Sequence, residues 1–137
     1  MEFLISGEDE LDQVVEHVVP LLENTPLVLL RGDLGAGKTT LVKRIAKQLG
    51  VQSDMSSPSF GLVNEYQGQN DVVYHIDLYR INDASEVFEF GLPEVLDSGN
   101  ACFVEWPEMA EEIWQEYEHL TIKITMDERE SRRIFVE

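Results

Sequence analysis

A chain of 137 residues with a hydrophobic fraction of 43% is long enough for one packed domain and too short for two comfortable ones. Ten Lys plus Arg against 27 Asp plus Glu leave a formal charge of −17, a surface that repels phosphate backbones and argues against direct nucleic-acid binding. There is no run of about eighteen apolar residues, no basic region before an apolar stretch at the start, and a lone Cys102 without an intrachain partner; a cytoplasmic protein with no membrane association is expected.

Residues 3–6 read as a short first strand. Over residues 9–22, Leu11, Val14, Val15, Val18, Val19 and Leu22 recur at helical spacing and predict a helix with one buried stripe, disturbed near its end by Pro20. Leu27-Val28-Leu29-Leu30 is a continuous apolar run suited to a buried parallel strand. It leads into Gly32-Asp33-Leu34-Gly35-Ala36-Gly37-Lys38-Thr39, a complete fit to the pattern Gly, four residues, Gly-Lys-Ser/Thr. Leu41, Val42, Ile45, Ala46 and Leu49 then mark a helix over residues 40–49, ended by Gly50.

Strand, loop and helix in this order make a phosphate cradle. Glycines let successive backbone N–H groups converge on phosphate oxygens, and the helix adds its positive end. Lys38 can reach the β- and γ-phosphates of a nucleoside triphosphate, and the Thr39 hydroxyl can ligate Mg²⁺. Lys43, Arg44 and Lys47 on the same helix are expected to offset part of the negative field.

Residues 53–60, serine-rich and broken by Pro58, show no periodicity and read as a loop. Residues 62–66 and 72–77 are β-like runs around a turn at 67–71, a hairpin pattern. Residues 82–90 read as a helix with Asn82 as candidate cap, interrupted by Gly91-Leu92-Pro93 and followed by a short turn to Leu96. Residues 101–106 form a second buried-strand candidate, with Pro107 at the start of a helix over 108–117. Residues 120–126 and 133–136 alternate and are expected to pair antiparallel near one sheet edge. The expected fold is a single-domain α/β P-loop NTPase over residues 1–137, with a mostly parallel central sheet flanked by helices and antiparallel strands at an edge.

A carboxylate near the Mg²⁺ is delivered in such proteins by the end of a hydrophobic strand beside the loop. Glu105, ending Ala-Cys-Phe-Val-Glu, and Asp77, ending Val-Val-Tyr-His-Ile-Asp, both qualify, and the residues do not decide between them. Ser57 and Ser59 lie about twenty residues beyond the loop, where a γ-phosphate-sensing segment is found in many such enzymes. His75 reads as a satisfied, half-buried strand residue, and His17 and His119 as surface residues; no histidine metal site is expected. Trp106 is read as packing, with a contact to nucleotide or partner as the sharper alternative, and Arg80 as compensating a phosphate or pairing with an acid. The acidic stretches 8–16 and 105–118 are either solvated helix faces or a docking surface for a basic partner.

Four blocks in this order and spacing resemble the bacterial TsaE family of small ATPases, which act in making threonylcarbamoyladenosine in tRNA. They are Gly32-Asp-Leu-Gly-Ala-Gly-Lys-Thr-Thr40, Ser57-Pro-Ser-Phe60 leading into Leu62-Val-Asn-Glu-Tyr66, His75-Ile-Asp-Leu-Tyr-Arg80, and Val104-Glu-Trp-Pro107. The resemblance runs over most of the chain. It implies that Gly32, Asp33, Leu34, Gly35, Ala36, Gly37, Lys38, Thr39, Thr40 and Ser59 contact ATP. Thr39, Glu105 and Asp77 would surround Mg²⁺, with Lys38, Asp77 and Glu105 as the catalytic set. The family usually has threonine where this chain has Ser59, which keeps the hydroxyl and loses a methyl. The implied partners are the TsaD and TsaB proteins, whose heterodimer transfers the threonylcarbamoyl group to adenosine. A TsaE-like protein binds that pair and hydrolyses ATP to reset it, meeting tRNA only indirectly. The alternatives on the same fold are a small-molecule kinase, which ten basic residues supply poorly, or a GTPase-like switch, for which no Asn-Lys-x-Asp segment reads guanine.

Overall fold

The computed structural model describes residues 1–33, 35–52, 63–89, 91–129 and 131–137. The apolar run before the glycine-rich loop forms β2 (Leu27–Arg31), the middle strand of a seven-stranded sheet. The others are β1 (Glu2–Ile5), β3 (Val63–Gln67), β4 (Val72–Asp77), β5 (Cys102–Glu105), β6 (Leu120–Met126) and β7 (Arg132–Val136). Their order is β1-β7-β6-β2-β5-β4-β3. The central pairs β6–β2, β2–β5 and β5–β4 are parallel, whereas β3–β4, β6–β7 and β7–β1 are antiparallel. The expected parallel centre is present, and antiparallel strands flank it at both edges rather than one.

Alternation along β2 explains its unbroken apolar sequence. Val28 and Leu30 face one core with Val14, Val15 and Val18 of α1 (Asp12–Val18) and Leu41, Val42 and Ile45 of α2 (Lys38–Gln48). Leu27 and Leu29 face a second core with Leu78, Val87, Leu92, Val104 and Trp114. Each fully buried aliphatic side chain contributes about 1.5–3 kcal/mol of transfer free energy, so both faces must be apolar for this strand to sit centrally. Cys102, also in the second core, is buried as expected, and desolvation pushes its thiol pKa up to about 12. No helix among the described residues is long and apolar enough to cross a membrane.

The helices depart from the sequence pattern where local chemistry competes with periodicity. Residues 9–22 are not one helix: a 3-10 turn (Glu8–Leu11) precedes α1, and a second (Val19–Glu23) follows it with Pro20 in its first turn. The helix expected over 82–90 shrinks to α3 (Glu86–Glu89), with Phe90 outside the described residues. Asn82 does not cap it; Asp83 accepts the Ser85 N–H on Oδ1 at 2.9 Å, and its carbonyl accepts the Glu86 N–H at 3.0 Å. The turn expected up to Leu96 is instead a helix, α4 (Leu92–Asp97), because Gly91 takes φ 76° and Pro93 fits a first helical turn. Residues 107–117 divide into a 3-10 turn (Pro107–Ala110) and α5 (Glu111–Trp114), broken where Ala110 adopts φ −147°, ψ 42°.

Candidate functional site

The carboxyl ends of the parallel strands converge on one place, as is general for ligand sites in open α/β sheets. Parallel register sets Leu30 of β2 beside Glu105 of β5, and Glu105 beside Asp77 of β4. The glycine-rich loop leaves β2 at that edge. A Cβ on Gly32 would stand 2.6 Å from the Ile124 carbonyl oxygen, so only glycine lets the chain pass. The Ala36 N–H donates to the Asp33 carbonyl at 3.0 Å, and Gly37, at φ 103° and ψ 17°, turns the backbone into α2. No side chain caps α2, so its first-turn N–H groups remain suited to an anion.

In front of this helix end lies a cavity of about 300 Å³ lined by Gly35, Gly37, Lys38, Thr39, Thr40, Asp77, Tyr79, Glu105, Trp106 and Arg132. A larger cavity of about 660 Å³ opens beside α3, α4 and α5, but its only charged lining residues are acidic and suit no phosphate. The smaller one gathers the loop lysine, Thr39 and both strand-end acids. Lys38 is 4% exposed; its Nζ donates to the Gly32 carbonyl at 2.6 Å and lies 3.6 Å from the Trp106 ring centroid. Burial lowers its pKa, opposed by Glu105, Glu108, Asp77 and Asp33.

The Thr39 hydroxyl donates to the Glu105 carboxylate, 2.9 Å from Oε1 and 3.0 Å from Oε2. His75 Nε2 approaches Glu105 Oε2 at 2.5 Å. Burial pushes the Glu105 pKa up, but the His75 hydrogen bond and charge, the Thr39 hydroxyl and the Lys38 charge outweigh it, leaving the carboxyl below its usual value. A depressed folded-state pKa stabilises the fold above the unfolded value, near 4.3 for glutamate, and that stability is lost as pH falls through the folded value. Glu105→Gln is therefore expected to flatten the acid side of the stability profile. Denaturant unfolding from about pH 5 downward should show wild type losing stability faster than the variant below about pH 4.3.

Asp77 reaches the same cavity and uses Oδ1 to accept the Tyr79 N–H at 3.0 Å, so it caps the next turn as well. Asp33 is exposed and enters the loop through its carbonyl, while Ala36 presents its carbonyl to Arg132. Leu34, Ser57 and Ser59 fall outside the described residues. Arg44 does not serve the site: it pairs with Asp12 at 3.0 Å and approaches Glu8 and Asp9 at 4.0 Å. In the second acidic stretch, Glu111 is hydrogen-bonded and ion-paired to Arg31.

Three features were missed by sequence reasoning. Arg132, opening β7, donates from Nε to the Ala36 carbonyl at 2.7 Å and lies over Gly37, a contact between positions 96 apart that no local pattern signals. Trp106 takes φ 58°, the only positive-φ residue other than glycine among the described residues, and its ring stacks on Tyr79 at 4.9 Å. His75 is 1% exposed rather than half-buried, and among the described residues its Nδ1 has no partner, unlike the satisfied histidine expected. His17 and His119 are half-buried rather than exposed: one ring packs against Phe3, and His119 Nδ1 bonds the Tyr117 carbonyl.

Among the described residues no three His, Cys, Asp or Glu side chains could hold a metal by themselves. The oxygen donors of Thr39, Asp77 and Glu105 fit Mg²⁺, which is typically held by one or two carboxylates with phosphate and water completing its shell.

The family model described as "Threonylcarbamoyl adenosine biosynthesis protein TsaE" matches residues 5–134. A Rickettsia felis protein named tRNA threonylcarbamoyladenosine biosynthesis protein TsaE is 36% identical over 107 residues, covering 77% of this chain and 62% of that protein. The chain thus spans about three fifths of that relative's length. A protein of the same name from Aquifex aeolicus is 40% identical over 109 residues, 78% of this chain and 77% of its own. The crystal structure of YdiB from Bacillus subtilis superposes with a TM-score of 0.69 at 27% identity, covering 99% of this chain and 84% of that one.

Proposed function

The chain belongs to the TsaE family, and from that premise we propose that it is a Mg²⁺-dependent ATPase supporting threonylcarbamoyladenosine formation in tRNA. It acts in the cytoplasm as a single P-loop domain over residues 1–137, engaging the TsaD–TsaB pair and meeting tRNA only through it. The observation carrying this reading is the joining of Thr39 to Glu105, both oxygens within 3.0 Å, directly behind a left-handed Gly37 and an uncapped helix end.

Residues 32–40 wrap the polyphosphate, with Leu34 and the more distant Ser59 assigned by sequence alone. Backbone N–H groups of the loop and the first turn of α2 bind the phosphate oxygens. Lys38 exchanges the Gly32 carbonyl for β- and γ-phosphate oxygens, with the Trp106 ring beneath its ammonium group. Thr39, Glu105 and Asp77 would hold Mg²⁺ or its water shell, where the ion would offset charge on the phosphates. Asp77 and Glu105 also orient the attacking water, with Asp77 fixed by its bond to the Tyr79 N–H.

Arg132 is the second basic side chain in the cavity lining. With Nε held on Ala36, the Arg132 side chain lies over Gly37 and lines the same cavity as Thr40, where a nucleotide's phosphates would pass. Arg132→Ala is expected to weaken Mg-ATP binding about tenfold, the worth of one hydrogen bond to a charged group, as read by calorimetric titration.

Slow turnover alone and acceleration by the TsaD–TsaB pair are expected, because water positioning and charge stabilisation in P-loop enzymes often come partly from a partner. Phosphate release with and without that pair tests this. Fast, equal rates would overturn the partner-coupled reading.

A further inference from the structure

His75 lies on β4, on the same sheet face as Val73 and Asp77, with Phe103 as its register partner on β5. It is one of the three buried polar or charged residues among those described; the other two are Lys38 and Glu105. Among the described residues the ring's only hydrogen bond runs from Nε2 to Glu105 Oε2, while Nδ1 is buried without a partner there. As mere filling, this ring is a poor choice. Leucine or phenylalanine would occupy a core position without the cost of an unsatisfied buried polar atom. The Glu105 contact is what the imidazole offers and an apolar ring cannot.

We infer that His75 is a positioning residue, one that locks the rotation of the Glu105 carboxylate so that it faces Thr39 and the metal side of the phosphate loop. The inference rests on the reading of this site as a Mg-nucleotide site. Nε2 faces an acceptor, so it carries a proton and donates it to Oε2. The carboxylate is held from two directions, by the ring from the sheet and by the Thr39 hydroxyl from α2. When Thr39 turns toward a cation, one of the two supports is withdrawn. The ring is the one that remains. Hydrogen-bond partners standing behind metal ligands typically change metal affinity 10–100-fold when removed.

The test separates positioning from packing by substitution series. His75→Phe fills the space without a donor, and His75→Gln restores an N–H near the position of Nε2. ADP affinity is measured by calorimetry over a range of Mg²⁺ concentrations, and Mn²⁺ binding to the protein–ADP complex by electron paramagnetic resonance. In His75→Phe, the divalent-ion concentration for half-saturation is expected to rise about 10–100-fold, with ADP affinity in chelator unchanged. His75→Gln is expected to recover most of the loss. An unchanged ion requirement in a folded His75→Phe protein would overturn the inference and leave His75 as core. If phenylalanine prevents folding, His75→Asn, whose amide is too short to reach Glu105, takes its place with the same expectation and the same overturning result. A wild-type protein binding ADP without any divalent-ion dependence would overturn the Mg-nucleotide reading itself, and this inference with it.

Discussion

Lys38→Ala is expected to lower Mg-ATP affinity by about two orders of magnitude or more, while the folded protein becomes no less stable. The first half follows from chemistry: in the proposed complex the ammonium would make charge-assisted bonds to two phosphates, each worth roughly 1.5–3 kcal/mol, and about 1.4 kcal/mol corresponds to tenfold. The second half follows from its surroundings. Burial lowers the Lys38 pKa, so the folded chain tolerates the charge less well than the unfolded chain does, despite four nearby carboxylates. Stability therefore rises with pH through the window just below the ordinary lysine value, where the folded protein has released a proton that the unfolded chain retains. Alanine removes that unfavourable term along with the phosphate contact. Calorimetric titration and denaturant unfolding of the same preparation check both halves, and a variant with wild-type affinity would refute the loop assignment.

Glu105→Gln is expected to cut ATP turnover about 10²–10³-fold, the range found when one electrostatic contact to a transition state is removed. Nucleotide affinity at saturating Mg²⁺ should stay within about tenfold, because loop amides and Lys38 supply most of the grip on phosphate. Glutamine keeps the shape and an acceptor for Thr39 but loses the charge that would face the proposed ion. Asp77→Asn provides the comparison. Asp77 has one oxygen on the Tyr79 N–H, so part of its loss is a loosened turn rather than altered ion binding. Phosphate release under single-turnover conditions distinguishes these effects from product escape. Full turnover in Glu105→Gln would remove this carboxylate from the catalytic set.

Much of the site was legible because its parts are local. The loop, its strand and its helix occupy one continuous segment, and each obeys a rule of short range: apolar residues before, glycines within, helical spacing after. Glu105 and Asp77 were both visible as acids ending apolar strands, and parallel register then made them neighbours. The His75–Glu105 contact depended on β4 lying beside β5, which neither strand announces. Arg132 depended on the last strand returning near the first turn of α2. Helices failed for a different reason. Over 82–90 the Asp83 side chain and carbonyl cap a turn inside the segment, so the helix starts only at Glu86, and at 107–117 the chain breaks at Ala110, so apolar spacing overstated both lengths.

Cys102 gives the sheet a chemical clock. The residue is 1% exposed and its deprotonation is held back to about 12, so a thiol-directed reagent finds almost no reactive anion while β5 stays packed between β2 and β4. Alkylation then proceeds at the pace at which that strand separates from its neighbours, three residues from Glu105. A nucleotide that tightens the end of β5 would slow the modification, and mass spectrometry of one adduct would read out the opening of the central strands without any engineered label.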